Sequence, residues 1–222
     1  KLNKNENRHE ELKRLETEIE EAQSEMLKIS EKITKKRIIA SPKLGNLVTK
    51  ELKDLGFKKS IFEISLEKKE KPTSMGTESI EFLFAPNPGE PSKALRSIAS
   101  SGEMSRVMLA LKSTLAGEDA IPVLVFDEID ANVGGAIAQS VGIKMASLGK
   151  SHQVISISHL PQVASLSKSH YVVKKEFTDG GRTRSEIMKV DGKERVAEIA
   201  RMLGGEKKSA QQHAHSLMQT AA

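Results

Sequence analysis

Apolar residues recur through the first part of the chain at helical spacing. Leu12, Leu15, Ile19, Ala22, Met26, Ile29 and Ile33 are separated alternately by three and four residues, and Glu and Lys crowd the positions between them. A narrow stripe of this period is the seam of a coiled coil, though an amphipathic helix lying on a globular core gives a related pattern. The seam decays upstream, where Arg8 and Asn5 occupy its positions. Ser41-Pro42 predicts a break and restart, followed by a helix with Leu44, Leu47, Val48, Leu52 and Leu55 on one face and Gly56 at its end.

The pattern then changes. Ile61, Phe62, Ile64 and Leu66 predict one strand within 57–66, and Ile80 to Phe84 a second, paired as an antiparallel hairpin around a polar turn region at 68–78. Pro86-Asn87-Pro88-Gly89-Glu90-Pro91 is a stiff loop that no regular element crosses. Helices are expected over 104–115, 134–148, 161–166 and 192–203, and the tail from 206 is expected to be helical. Strands are expected at Val123–Phe126 and Gln153–Ile157. A hairpin is expected from Tyr171–Phe177 and Arg184–Val190 around Thr178-Asp179-Gly180-Gly181. Helices alternating with strands point to an α/β fold with a mostly parallel sheet.

Val123 to Phe126 reads as a strand buried on both faces, and it ends in Asp127-Glu128. Such a strand delivers both acids to the carboxyl edge of a parallel sheet, where open α/β folds bind ligands. Asp127 is suited to Mg²⁺ as a hard oxygen ligand, and Glu128 to orienting and deprotonating a water. A solvated acidic turn is the plainer alternative. Ser100-Ser101-Gly102-Glu103 opens the helix about twenty residues upstream and suits an anion, although Ser100 and Glu103 also have the spacing of a capping box. His159 follows the 153–157 strand and would lie at the same edge as Asp127, where a neutral imidazole could hydrogen-bond a phosphate or a water. Alone, it is equally a surface histidine. Leu148-Gly149-Lys150-Ser151 imitates the end of a phosphate-binding P-loop, but Lys144 stands where that motif needs its first Gly. It also follows a helix and precedes a strand, the reverse of the P-loop context. No P-loop is therefore present in these residues.

Composition narrows the class only slightly. The chain has 222 residues, 37% hydrophobic and 29% charged, with a net charge of +5 and a pI near 9.2. The basic excess permits contact with nucleic acid without establishing it. Lysines and arginines are scattered, and one Tyr with no Trp offers few stacking platforms, so any DNA contact is expected to be electrostatic and sequence-nonspecific. The absence of cysteine excludes disulfides and thiolate metal sites and is compatible with a cytoplasmic location. No apolar run is long enough to span a membrane.

Taken together, the motifs resemble ABC-type ATPases. Ser100 to Glu103 with Met104-Ser105-Arg106 resembles their signature, the strand ending Asp127-Glu128 their Walker B, Asp130 their D-loop and His159 their switch histidine. The order of motifs and the heptad arm resemble the SMC-like branch, and within it a bacterial DNA repair family. Pro86 to Pro91, Ser105 to Lys112, Ser158 to Ala164 and Ala200 to Gly205 carry that closer likeness. Two positions depart from the pattern: Ser101 stands where the signature usually has Gly, and Asn132 where Gly often follows the D-loop.

The resemblance implies an α/β fold, the C-terminal lobe of an ABC-type ATPase head with a mostly parallel sheet, plus an N-terminal coiled-coil helix. Residues 1–37 would be a truncated descending arm and 38–222 the head lobe. Lys1 looks like a cut, and the P-loop lobe with the ascending arm would lie upstream as an N-terminal half. Expected cofactors are ATP and Mg²⁺. Asp127 would coordinate the metal, and Glu128 with His159 would serve hydrolysis. Ser100, Ser101, Gly102, Glu103 and Asp130 would contact nucleotide, the signature meeting the γ-phosphate of an opposite head. Implied partners are a homodimer closed on ATP, and DNA that the whole protein would bridge during double-strand-break repair, associated with the nucleoid. Without the upstream half, no turnover is expected. A non-catalytic assembly module, a coiled-coil stub with half a site, is the alternative.

Overall fold

The computed structural model describes residues 2–177, 183–205 and 208–219. Helix α1, Leu2–Asp54, is a single element that passes through Pro42 without a break. Proline inside a helix removes one backbone bond and strains the preceding turn, typically costing about 3 kcal/mol. The helix is held on both sides of that position. Below it, Val48, Leu52 and Leu55 are fully buried in the main core. Above it, Thr34 and Arg37 bind Glu78 of a neighbouring strand. Tertiary contacts therefore override the local signal at Ser41-Pro42.

The antiparallel pair that follows is longer than its alternation suggests. Strand β1, Ile61–Thr73, pairs with β2, Gly76–Ala85, from Ile61 opposite Ala85 to Thr73 opposite Gly76. The expected polar turn region is mostly strand. Its lysines and Glu70 are exposed while Glu78 is buried, and the register of the pair shifts between Lys68 and Thr73. Phe57 lies outside β1, in the turn after α1, and packs edge-on against Phe84 with centroids 5.3 Å apart. A short strand β3, Lys93–Ala94, adds to the β2 side.

Helix α2, Ser101–Thr114, leads into β4, Val123–Phe126. Helix α3, Gly135–Leu148, returns to β5, Gln153–Ser156, which pairs with β4 in parallel. Parallel pairing is confined to these two strands among the described residues. The expected burial of β4 on both faces is corrected. Leu124 and Phe126 are buried, but Val125 is 64% exposed, and Val123, Ile155 and Ile157 are exposed with it. Only one face of this small sheet packs on the main core, alongside residues of α2 and α3.

The short helix α4, Pro161–Ala164, precedes the antiparallel strands β6, His170–Phe177, and β7, Thr183–Val190. The Thr178 to Gly181 turn read from the sequence lies outside the described residues. Helices α5, Gly192–Met202, and α6, Lys208–Gln219, bury Ile199, Ala200 and Ala214 in a second, smaller core. Arg195 of α5 donates to the Ser165 and Ser167 carbonyls and so ties this end to α4. Among the described residues, no helix is long and apolar enough to cross a membrane.

Candidate functional site

The first turns of α2 meet the loop that follows β4. Gly102 makes the approach possible: a Cβ there would lie 2.8 Å from the Ala131 side chain and 3.1 Å from the Glu128 carbonyl. Ser105 donates its hydroxyl to the Asp127 carbonyl at 2.9 Å. Ser101 donates to the Glu128 carboxylate. Ser100 is the N-cap of α2, its hydroxyl accepting from the Glu103 N–H at 3.3 Å. That bond is one half of the capping box, and it places Ser100 at the open end of the helix.

The loop after β4 alternates between solvent and core. Asp127 and Glu128 are exposed, whereas Ile129 is fully buried and Asp130 is 2% exposed. Ile129 anchors the loop and leaves the two acids outside. Glu128 has φ of 54° and Asn132 has φ of 58°. Both are in the left-handed region, uncommon for residues other than glycine, although asparagine tolerates it better than glutamate. Asp127 Oδ1 accepts the Glu128 N–H at 2.9 Å, which stabilises this sharp exit from the strand.

Asp130 turns inward and joins the two loops at the sheet edge. Its Oδ2 accepts the Ser158 hydroxyl at 2.5 Å and the His159 N–H at 2.8 Å, with His159 Nδ1 at 3.2 Å. Ser158 Oγ in turn accepts the Leu160 N–H at 3.1 Å. The His159 ring is 72% exposed, so its backbone is fixed while its outer edge faces solvent. The eight residues singled out in the sequence therefore lie in three adjoining segments: Ser100 to Glu103 on α2, Asp127 to Asp130 after β4, and His159 after β5. All three carboxylates after β4 have partners within the chain, but only that of Asp130 is buried and joins two loops.

Two residues of the signature string receive no role from the sequence. Ser105 supports the strand end. Arg106 is 7% exposed, donates to the Ala131 carbonyl at 3.0 Å, and lies 5.2 Å from the centroid of the Phe57 ring. Burial pushes its pKa below the usual arginine value, with Glu103 opposing the shift. Its signal in the sequence is a charge at helical spacing with Gly102, Leu109 and Ala110, the buried face of α2. Gly149-Lys150, the P-loop imitation, follows α3 and precedes β5, with Gly149 as the helix C-cap. Among the described residues there is no cluster of three or more His, Cys, Asp or Glu able to hold a metal alone.

The DNA repair protein RecN of Xylella fastidiosa strain 9a5c is 43% identical over 205 residues, which cover 91% of this chain and 37% of that protein. Those of Streptomyces coelicolor and Bacillus subtilis are 37% and 34% identical over 207 and 215 residues. The chain belongs to the RecN family. It spans a little over a third of the length of these relatives, 36–37% in the three compared. No family model matches the chain. Its fold is similar to part of SMC head domains. An Smc head domain with a coiled coil and joint from Pyrococcus yayanosii superposes with a TM-score of 0.54 at 18% identity, covering 88% of this chain and 37% of that one. The Smc head with an extended coiled coil from Pyrococcus furiosus, solved bound to the C-terminal domain of ScpA, gives 0.50 at 19% identity over 90% of this chain and 48% of that one.

Proposed function

We propose that this chain is the carboxylate-bearing lobe of an ATP-hydrolysing, SMC-like head in a protein of DNA double-strand-break repair. The observation that carries the reading is the meeting of the exposed Asp127-Glu128 pair with the open end of α2 and the Ser158-His159 turn. A metal-binding acid and a proton acceptor would then share one edge, with a helix end beside them that would serve the nucleotide of a second head.

Asp127 suits Mg²⁺ in one specific sense. A single carboxylate cannot cage a metal, but Mg²⁺ commonly keeps its waters and binds one or two carboxylates together with nucleotide phosphates. The donor set, one hard oxygen residue at a solvent-open edge, matches that use. Bound there with ATP, the metal would neutralise charge developing on the phosphates. Glu128 is exposed on a sharply turned backbone and would orient the attacking water and take its proton. His159 presents its outer ring edge to the same solvent space and would hydrogen-bond the terminal phosphate or the water. Asp130 would act on nucleotide through the two loops it fixes. At the α2 end Ser101 is exposed and Ser100 and Glu103 are partly exposed, and this segment would close on the γ-phosphate held by the opposite head.

This reading also requires partners. Residues 1–37 would be the descending coiled-coil arm and 38–222 the head lobe, completed by an N-terminal half carrying the P-loop and the ascending arm. The exposed Val123 and Val125 on β4, Ile155 on β5 and Ile157 just after it are apolar surface that such a lobe would cover. Heads would dimerise on ATP, and the whole protein would bind DNA without sequence preference near the nucleoid. The chain alone would neither bind ATP appreciably nor hydrolyse it.

The test is Glu128→Gln in the protein completed to its family's length. Mg-ATP binding should persist, and hydrolysis should fall by roughly a hundredfold or more. Hydrolysis near the wild-type rate would remove Glu128 from the role of base.

A further inference from the structure

Arg106 is a buried charge with too few partners. A guanidinium carries five N–H donors. Here one nitrogen donates to the Ala131 carbonyl, the Phe57 ring lies 5.2 Å from the guanidinium carbon, and Nε is buried without an acceptor. An apolar side chain of similar volume often serves such a position equally well or better. Stability alone therefore gives no reason for arginine at 106.

What Arg106 touches does give one. Ala131 lies in the turn between Asp130 and Asn132, and its N–H donates back to the Glu128 carbonyl at 3.0 Å. This is the loop with left-handed backbone at Glu128 and Asn132. Phe57 is the foot of α1: its N–H donates to the Leu52 carbonyl at 3.1 Å, and its ring packs on Phe84. Lys144 of α3 also holds the end of α1, pairing with Glu51 at 2.6 Å and Asp54 at 3.0 Å. The guanidinium thus bridges the base of a 53-residue helix and the loop that carries Glu128.

We infer that Arg106 is a positioning residue that ties the Glu128–Asn132 loop to the foot of α1, so that a displacement of the arm helix is felt at Glu128. The inference rests on the reading of Glu128 as the base of ATP hydrolysis. The bridge has two distinguishable halves. The Ala131 bond needs a directed donor, and the Phe57 contact needs a flat cation over a ring. Lysine keeps the charge and loses the planar face, and methionine keeps the volume and loses both.

The experiment uses the protein completed to its family's length and compares Arg106→Met, Arg106→Lys and Phe57→Leu. Arg106→Met should melt at or above the wild-type temperature. Its kcat for ATP should fall about tenfold or more, because a small misplacement of a reacting group is enough. KM and the affinity for Mg-ATP should stay within about threefold. Arg106→Lys should recover part of kcat. Phe57→Leu should lower kcat in the same direction, and the double variant Phe57→Leu with Arg106→Met should be no slower than the worse single one. A wild-type kcat in both Arg106→Met and Phe57→Leu overturns the inference. So does a loss of kcat that appears only with a lowered melting temperature and weakened nucleotide binding, since that is packing damage. Glu128→Gln is run alongside. If it hydrolyses normally, the reading of the site has failed. If it is inactive while Arg106 and Phe57 variants turn over normally, only the bridge has failed.

Discussion

Two buried carboxylates join distant parts of this chain, and they do so differently. Glu78 on β2 meets α1. It accepts from the Thr34 hydroxyl, from Arg37 at 2.8 Å and from Thr77 at 3.1 Å, while Arg37 also reaches the Met75 carbonyl at 2.7 Å. Asp130 meets the Ser158-His159 turn. It has no arginine or lysine partner among the described residues, only a hydroxyl, a backbone N–H and an exposed imidazole. Glu78 sits in the antiparallel pair β1–β2, opposite Lys68 and next to a shift of register between Lys68 and Thr73. Asp130 sits between two residues in left-handed backbone. The first arrangement is a charge-paired clamp between a helix and a strand and reads as structure. The second holds two irregular loops in one geometry at the edge where the acids are exposed, and such concentrated strain belongs to working sites.

Removing Asp130 should have the largest effect. Asp130→Ala leaves the Ser158 hydroxyl and the His159 N–H without their acceptor in a buried setting, so a loss of about 2–4 kcal/mol is expected. Urea unfolding measures it. Asp130→Asn, which keeps a carbonyl oxygen in place, should lose clearly less. Equal losses for both would mean that Oδ2 is not the joint.

The Glu78 clamp should answer to pH instead. The Thr34 hydroxyl bond is the main cause that holds the Glu78 carboxyl below the ordinary glutamate range, helped by Arg37 and Thr77 against the opposing effect of burial. A carboxylate depressed in the folded state stabilises fully above its unfolded value. That contribution is lost as pH falls through the lowered folded value. Amide exchange at Gly76 and Thr77 should therefore quicken on acidification relative to the core around Leu52. In Glu78→Gln this extra pH dependence should disappear. Persistence of the same pH profile in Glu78→Gln would assign the effect to another group.

The long first helix, the later helices and the strand end at Asp127 were legible because each is local. Period marks the helix, whose apolar stripe at Leu12, Leu15, Ile19 and Ile29 stays exposed, and a run of apolar residues ending in two acids marks the end of a sheet strand. What could not be read depends on contacts far away in sequence. Pro42 stays helical because Leu52 below and Glu78 above hold α1 in place. Val123 and Val125 look fully buried because β-branched runs do not say how many faces are covered. The charged strand from Lys68 to Lys71 lacks alternation altogether. Arg106 could be noticed as a charge on an apolar face, but its partners, Ala131 and Phe57, lie 25 and 49 positions away (131 − 106 and 106 − 57).

The smallest expected effect is at Asn132. Its φ of 58° would suit glycine, which enters that region freely but loses more entropy on folding. Asn132→Gly should change stability by no more than about 1 kcal/mol in either direction. A large loss would mean that the Asn132 side chain holds the loop.

In the proposed reading the acids and the α2 end serve different composite sites, one head offering its carboxylates and the other its signature, so the Ser101–Glu128 bond within the chain would have to open when heads close. Mixing two inactive variants of the completed protein tests it most directly. One carries Ser100→Arg at the α2 end and the other Glu128→Gln. With the two elements acting across the dimer, a mixed pair gathers both defects in one site and leaves the other site whole, so ATP hydrolysis should return on mixing. If mixed dimers are demonstrated by cross-linking and hydrolysis stays at the level of the separate variants, signature and base do not act across the dimer and the account is contradicted.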